Sequence, residues 1–181
     1  MWYYVNTVWH LPVLDMLIPY LRNQWFWVPL YLFLAIFMPL NYKKNGWIWC
    51  LGFILSFALA DRISAGLIKP YFHRLRPCND PTLHSLVHII VPCGSGYSFP
   101  SSHATNHFAL GTFMAVTLNK QVKNIYLWAY LWAFSVSYAQ VYVGVHFPFD
   151  VICGGLLGTC IGIFTGKLFN SKFPLMATTK E

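Results

Sequence analysis

The 181-residue chain is short of charge. Only 9% of it is Asp, Glu, Lys or Arg, against 57% hydrophobic and 19% aromatic, whereas a soluble domain is roughly a quarter charged. That scarcity excludes an ordinary water-solvated surface and points to a bilayer as the solvent. Acids are the rarest class, five against twelve basic residues, which leaves few carboxylate partners for a metal. The five cysteines, Cys50, Cys78, Cys93, Cys153 and Cys160, show no CxxC spacing and no paired-histidine zinc pattern. Three of them lie in apolar runs and read as packing residues. Cys78 and Cys93 flank a polar loop and can pair if that loop faces an oxidising compartment. The N-terminus has no positive n-region and no small-residue cleavage site, so it reads as mature chain. No repeat, low-complexity run or linker is visible, and residues 1–181 read as a single domain. The net charge of +7 is not gathered into a basic patch interleaved with aromatics, which argues against a nucleic-acid partner.

What is present is a series of apolar runs. A spanning helix needs about 20 mostly apolar residues, and five segments come close: Trp25 to Leu40, Trp47 to Ile68, Ser102 to Leu118, Ile125 to Tyr142 and Val151 to Phe169. Residues 1–23, with His10, Pro12 and Asp15, predict an interfacial or partly inserted helix. The expected fold is therefore all-α, a polytopic transmembrane bundle of five or six helices, with monomer and dimer both open. Lys43, Lys44, Lys120, Lys123, Lys167, Lys172 and Lys180 mark three regions as cytoplasmic. Alternation then puts the loop 69–100 and the turn at His146 together on the outer side. Lys69, Arg74 and Arg76 break the charge rule there, which invites a functional reading. Gly154, Gly155, Gly158 and Gly162 suit close helix contact. Asp61 and Arg62, adjacent in the second run, read as a structural pair or as support for a site.

Three constellations fall on the outer side. In "KPYFHRLRP" Lys69 and Arg76 stand at the end of a span; two fixed cations suit a phosphate, and equally lipid headgroups met by snorkelling side chains. In "YSFPSSHATNH" Pro100, Ser101 and Ser102 have the chemistry of a helix start, whose free N–H groups form an anion site. Ser101 adds a hydroxyl there and His103 a titratable group. His103 and His107 are four apart, but Ala104 follows His103 where the metalloprotease pattern needs glutamate. No metal is therefore expected, and His107 reads as a packed core histidine. In "VYVGVHFPFDV" His146 and Asp150 are four apart. On a helical backbone the carboxylate would reach one ring nitrogen and fix the tautomer, leaving the other nitrogen to attack. The bland reading makes Asp150 a helix cap. Three independent accidents would be needed to gather these groups on one side of the membrane.

Together these residues resemble the type 2 phosphatidic acid phosphatases, or lipid phosphate phosphatases, which share a core with vanadium haloperoxidases and glucose-6-phosphatase. That family carries Lys-x6-Arg-Pro, Pro-Ser-Gly-His and Ser-Arg-x5-His-x3-Asp. The first matches as Lys69, Arg76 and Pro77; the second has Ser102 for glycine; the third has Ala139 and Gln140 before His146 and Asp150. The resemblance implies that Lys69, Arg76, Ser101 and Ser102 cradle the phosphate, with Gln140 in the position of the family's arginine. It also implies that His146 attacks phosphorus, Asp150 orients it and His103 protonates the leaving oxygen, with no cofactor. Gln140 cannot neutralise charge, so one cation is missing; Arg74, Arg62 or Lys69 could compensate.

The expected function is metal-independent hydrolysis of a lipid phosphate or diphosphate at the outer membrane face through a phosphohistidine. Undecaprenyl diphosphate, phosphatidylglycerol phosphate, phosphatidic acid and a lipid A phosphate all fit. The small size and absence of added domains lean towards a bacterial inner membrane, with the site facing the periplasm or exterior. The alternative is a non-catalytic membrane protein that binds or translocates a lipid phosphate.

Overall fold

A computed structural model describes residues 2–175; Lys180 lies outside the described residues. Every regular element among them is helical: α1 (Pro12–Arg22), α2 (Val28–Asp61), α3 (Lys69–Phe72), α4 (Ser102–Leu118), α5 (Ile125–Tyr142) and α6 (Pro148–Lys172). The sequence bounds for α4 and α5 coincide with the observed ones. The first two apolar runs are the two arms of α2, which turns back on itself at Lys43, where φ is 50° and ψ −126°. Gly46 permits the turn, because a Cβ there would fall onto the Met38 carbonyl. The returning arm packs Phe53 against Tyr31, ring centroids 6.4 Å apart, and continues through π-helical turns at Arg62–Ile68 into α3.

The segments Gln24–Asn79 and Pro148–Lys172 are long and apolar enough to cross a membrane. Their outward faces are apolar as well: Phe33 and Ile36 on the first arm of α2, Leu51 and Ile54 on the second, Leu156 and Phe164 on α6 are all exposed. Apolar surface this extensive is stable against lipid and a liability in water. Helix α4 runs through the middle, with twelve of its residues buried. Without a hydrophobic drive between helices in lipid, close packing must hold them. The α6 glycines meet that need, since a Cβ on Gly162 would come within 2.6 Å of the Ala109 carbonyl oxygen, and one on Gly154 within 2.6 Å of the Ser101 carbonyl oxygen.

The bundle has two ends. At one, the bend of α2 and the α4–α5 turn meet the end of α6: Asn45 donates to the Pro174 carbonyl (3.1 Å) and Gln121 to that of Leu175 (2.7 Å). The described lysines of the three expected cytoplasmic regions are here, all exposed. At the other end lie the 69–100 loop, the start of α4 and the α5–α6 turn. The N-terminal segment is tied to this second end. Buried Asn6 donates to the carbonyls of Tyr142 (2.7 Å) and His88 (3.0 Å) and accepts from the His88 N–H (2.9 Å). Asp15 of α1 accepts from the Tyr142 hydroxyl at 2.7 Å and lies 2.9 Å from His88 Nε2.

Candidate active site

The 69–100 loop is folded on itself. His73 adopts a left-handed conformation, φ 49°, that ends α3, and the chain beyond it runs beside the segment approaching α4, with Ser98 N–H donating to the Arg74 carbonyl at 2.7 Å. Cys78 and Cys93 are joined as a disulfide, their Cα atoms 6.0 Å apart, which closes the loop between the two segments. Across this frame Lys69 Nζ donates to the Tyr97 carbonyl (2.9 Å) and Arg76 Nε to the Gly96 carbonyl (2.7 Å). Both side chains are thereby held half-buried, with further N–H donors to spare.

Ser101 is the N-cap of α4, its Oγ accepting from the Ala104 N–H at 3.4 Å. Its own N–H donates to the Asp150 carbonyl (3.0 Å), which fastens the start of α4 to the start of α6. The hydroxyl hydrogen of Ser101 and the first-turn N–H groups of Ser102 and His103 remain as donors. Ser102 Oγ accepts from Ser64 Oγ at 3.2 Å.

His146 sits in the tight α5–α6 turn, 1% exposed. The turn reverses at Gly144, φ +77°, and the N–H groups of Val145 and His146 both donate to the Gln140 carbonyl at 3.2 Å. The backbone at His146 is not helical, and the expected reach of Asp150 to the ring is met at ion-pair distance, without a direct hydrogen bond. The nearest carboxylate oxygen, Oδ2, lies 3.7 Å from His146 Nδ1, and Ser98 Oγ stands between them, 2.5 Å from Oδ2 and 3.3 Å from Nδ1. An ionised carboxylate only accepts, so Ser98 donates its proton to Asp150 and receives the Nδ1–H of His146. That chain leaves Nε2 with the free lone pair. Burial pushes the imidazole down from 6.5 to about 4, with the charges of Lys69 and Arg76 acting the same way and Asp150 opposing them. The resting ring is neutral at pH 7, as a nucleophile requires.

Asp150 is fully buried and fully satisfied. Besides Ser98, Oδ2 accepts the Phe147 N–H (2.9 Å) and Oδ1 accepts from Arg74 Nη1 (2.7 Å). Asp150 is not the residue that starts α6, a position Phe147 holds, but from the third position of the helix its carboxylate accepts the Phe147 N–H and also stands behind His146. Arg74 lies over the Phe147 ring, 4.3 Å from its centroid. Gln140 is buried, its amide nitrogen 3.5 Å from the Val136 carbonyl and its Oε1 without a hydrogen-bond partner among the described residues. His107 is hydrogen-bonded as expected, Nδ1 donating to the His103 carbonyl (2.9 Å) with the ring edge-on to Trp132, but it is half-buried rather than packed in the core, and its Nε2 has no hydrogen-bond partner among the described residues. Asp61 is not paired with Arg62; its Oδ1 accepts from Asn106 Nδ2 at 3.1 Å.

Ser102 and His103 also line a cavity of about 620 Å³, within the range of ligand pockets. Its remaining wall is mostly apolar, with Leu34, Trp49, Phe53 and Phe57 from the arms of α2. Lys69, Arg76, Ser101, Ser102, His103, His146 and Asp150 thus converge where α3, α4 and α6 begin. The spacing did not reveal Ser98 or the attachment of Arg74 to Asp150. Arg74 carried a signal, being a cation outside the three lysine-bearing regions; Ser98 carried none, as one small polar residue in a turn.

Comparison with known proteins identifies the family. Residues 45–174 match the PAP2 superfamily. The chain is 32% identical over 168 residues to a lipid A 4'-phosphatase of Bacteroides thetaiotaomicron, covering 88% of this chain and 70% of that one. It is 31% identical over 148 residues to an undecaprenyl-diphosphatase of Sulfolobus acidocaldarius, covering 81% and 65%. Among solved structures it superposes on the transmembrane PAP2 type phosphatidylglycerolphosphate phosphatase of Bacillus subtilis with a TM-score of 0.70 at 25% identity, covering 94% of this chain and 83% of that one. The chain belongs to the PAP2 superfamily.

Proposed function

We propose, from that membership and the site's geometry, that the protein is an integral membrane phosphatase that hydrolyses a lipid phosphate or diphosphate through a phosphohistidine on His146. The observation that carries the reading is a neutral, buried imidazole with Nε2 free, among fixed cations, beside an apolar cavity that shares Ser102 and His103 with the site. In the first step Nε2 attacks phosphorus and the bond from phosphorus to the lipid oxygen breaks. His103, which takes up a proton when the anionic phosphate binds beside it, gives that oxygen the proton. Positive charge on the His146 ring is stabilised by the Asp150 carboxylate through the Ser98 hydroxyl. In the second step water attacks the phosphohistidine, His103 takes the water's proton, the P–N bond breaks and phosphate leaves. Lys69, Arg76, Ser101 and the first-turn N–H groups stabilise charge on the phosphoryl oxygens, a contribution worth several kcal/mol in such sites. The chemistry is complete without a metal.

The lipid tail would occupy the cavity between the arms of α2. Lipid A phosphate, undecaprenyl diphosphate, phosphatidylglycerol phosphate and phosphatidic acid share the required chemistry, an anionic phosphate on a long apolar chain. The site is assigned to the outer face of a bacterial cytoplasmic membrane; exposed lysines at the opposite end and the Cys78–Cys93 disulfide beside the site support this orientation. The test is phosphate release by purified protein in detergent, with EDTA present, from a panel of those lipids. Release that vanishes in His146→Ala is expected. No release from any lipid, with binding retained, would instead make the protein a lipid-phosphate binder.

A further inference from the structure

One cation of the site lies outside all three signature stretches. Arg22 ends α1 and lines the same cavity as Ser102 and His103. Its Nε is buried without a hydrogen-bond partner, and no carboxylate stands within ion-pair distance of it among the described residues. Asp61, the carboxylate in the cavity wall, is engaged by Asn106. The charge of Arg76 is felt at Arg22, and that of Arg22 at His103, so the guanidinium stands among like charges. Asp150 cannot neutralise the group, because its oxygens already serve Arg74, Ser98 and the Phe147 N–H. A half-buried guanidinium with an orphaned N–H and no acid paired with it is costly unless an anion completes it.

Helix α1 is anchored independently of any ligand. Asp15 is bound to Tyr142 and His88, and Trp27 Nε1 donates to the Leu21 carbonyl at 2.8 Å. Arg22 is therefore carried by a fixed element on the wall shared with His103, the side from which the leaving oxygen would depart. Gln140, buried and facing the Val136 carbonyl, supplies no charge.

We propose that Arg22 is an anion-binding residue of this site, contributed by α1, that grips a phosphate oxygen of the substrate headgroup beside His103. Its ligand chemistry is that of a phosphoryl oxygen, on the group under attack or on the second phosphate of a diphosphate. The inference rests on the phosphatase reading for the lipid, but the anion site can be tested without turnover. Inorganic phosphate and inorganic pyrophosphate are titrated calorimetrically into wild type, Arg22→Gln and Arg22→Lys. KM and kcat are measured with the monophosphate and the diphosphate of one isoprenoid chain.

Loss of a charged contact predicts about tenfold to hundredfold weaker anion binding in Arg22→Gln, a matching rise in KM with a smaller change in kcat, and partial rescue by lysine. Losses for both anions would put Arg22 on the attacked phosphate; a loss confined to pyrophosphate and the diphosphate lipid would put it on the second. Wild-type affinity for both anions with unchanged KM would overturn the proposal. Arg22→Leu, which matches the apolar wall, supplies the same readouts should Arg22→Gln fail to fold. If wild type releases no phosphate from any lipid, the phosphatase reading falls while the anion titrations still decide the role of Arg22.

Discussion

The two ends of the bundle use basic residues in opposite ways. At the end formed by the α2 bend, the α4–α5 turn and the end of α6, the described lysines Lys43, Lys44, Lys120, Lys123, Lys167 and Lys172 are all exposed, and none forms a salt bridge. At the other end Arg22, Lys69, Arg74 and Arg76 are half-buried. Three of them are held on a named acceptor, the Tyr97 carbonyl, the Asp150 carboxylate or the Gly96 carbonyl. Exposed charge near a membrane sets orientation through a summed field and tolerates loss of any one member. Charge fixed in a low-dielectric recess acts on one anion in one place and tolerates none.

Substitutions at the two ends should therefore diverge. Arg76→Gln should lower kcat/KM by about a hundredfold or more, and Lys172→Gln should leave it within about twofold; phosphate-release assays on the two variants compare the ends directly. Arg74→Gln comes next, at about tenfold. It removes no direct phosphate contact but frees one oxygen of a buried carboxylate, so the loss should fall on kcat. Ser98→Ala is smaller still, about fivefold in kcat with KM unchanged, because Asp150 keeps Arg74 and the Phe147 N–H when the Ser98 bridge to His146 is lost. The same variant should shift the imidazole nitrogen resonances of His146, because Nδ1–H loses its acceptor.

How much of this was legible beforehand follows from what each feature depends on. Helices α4 and α5 could be bounded from their apolar runs because the turn chemistry of Pro100 and Ser101 and the polar stretch 119–124 mark where each run stops. Lys69, Arg76, Ser101, His103, His146 and Asp150 announced themselves through spacing and through charge on the unexpected side. The direct His146–Asp150 hydrogen bond rested on an assumed helical turn, and Phe147 in extended conformation, ψ 153°, removes that turn. Ser98 was invisible because its role is set by the fold of two distant loop segments. Arg22 was hidden for a similar reason: α1 is brought to the site by tertiary contacts, among them those of Asn6 and Asp15 with His88 and Tyr142.

The smallest effect is read by titration within the recessed end alone. His146 in the unliganded protein should stay neutral down to about pH 4, as followed by NMR of ring-labelled histidine, whereas a histidine free of such burial titrates near 6.5. Folding depresses this pKa, so as pH falls below 6.5 the unfolded chain takes up a proton that the folded chain refuses. Between there and pH 4 His146 subtracts progressively from stability.

The most direct test of the account is to trap the intermediate. Purified protein is mixed with a phosphate-labelled lipid substrate, quenched in alkali, where phosphohistidine survives, and mapped by peptide mass spectrometry. The expected result is phosphate on His146, absent from His146→Gln. Steady turnover with no covalent phosphate, or with phosphate on another residue, would contradict it.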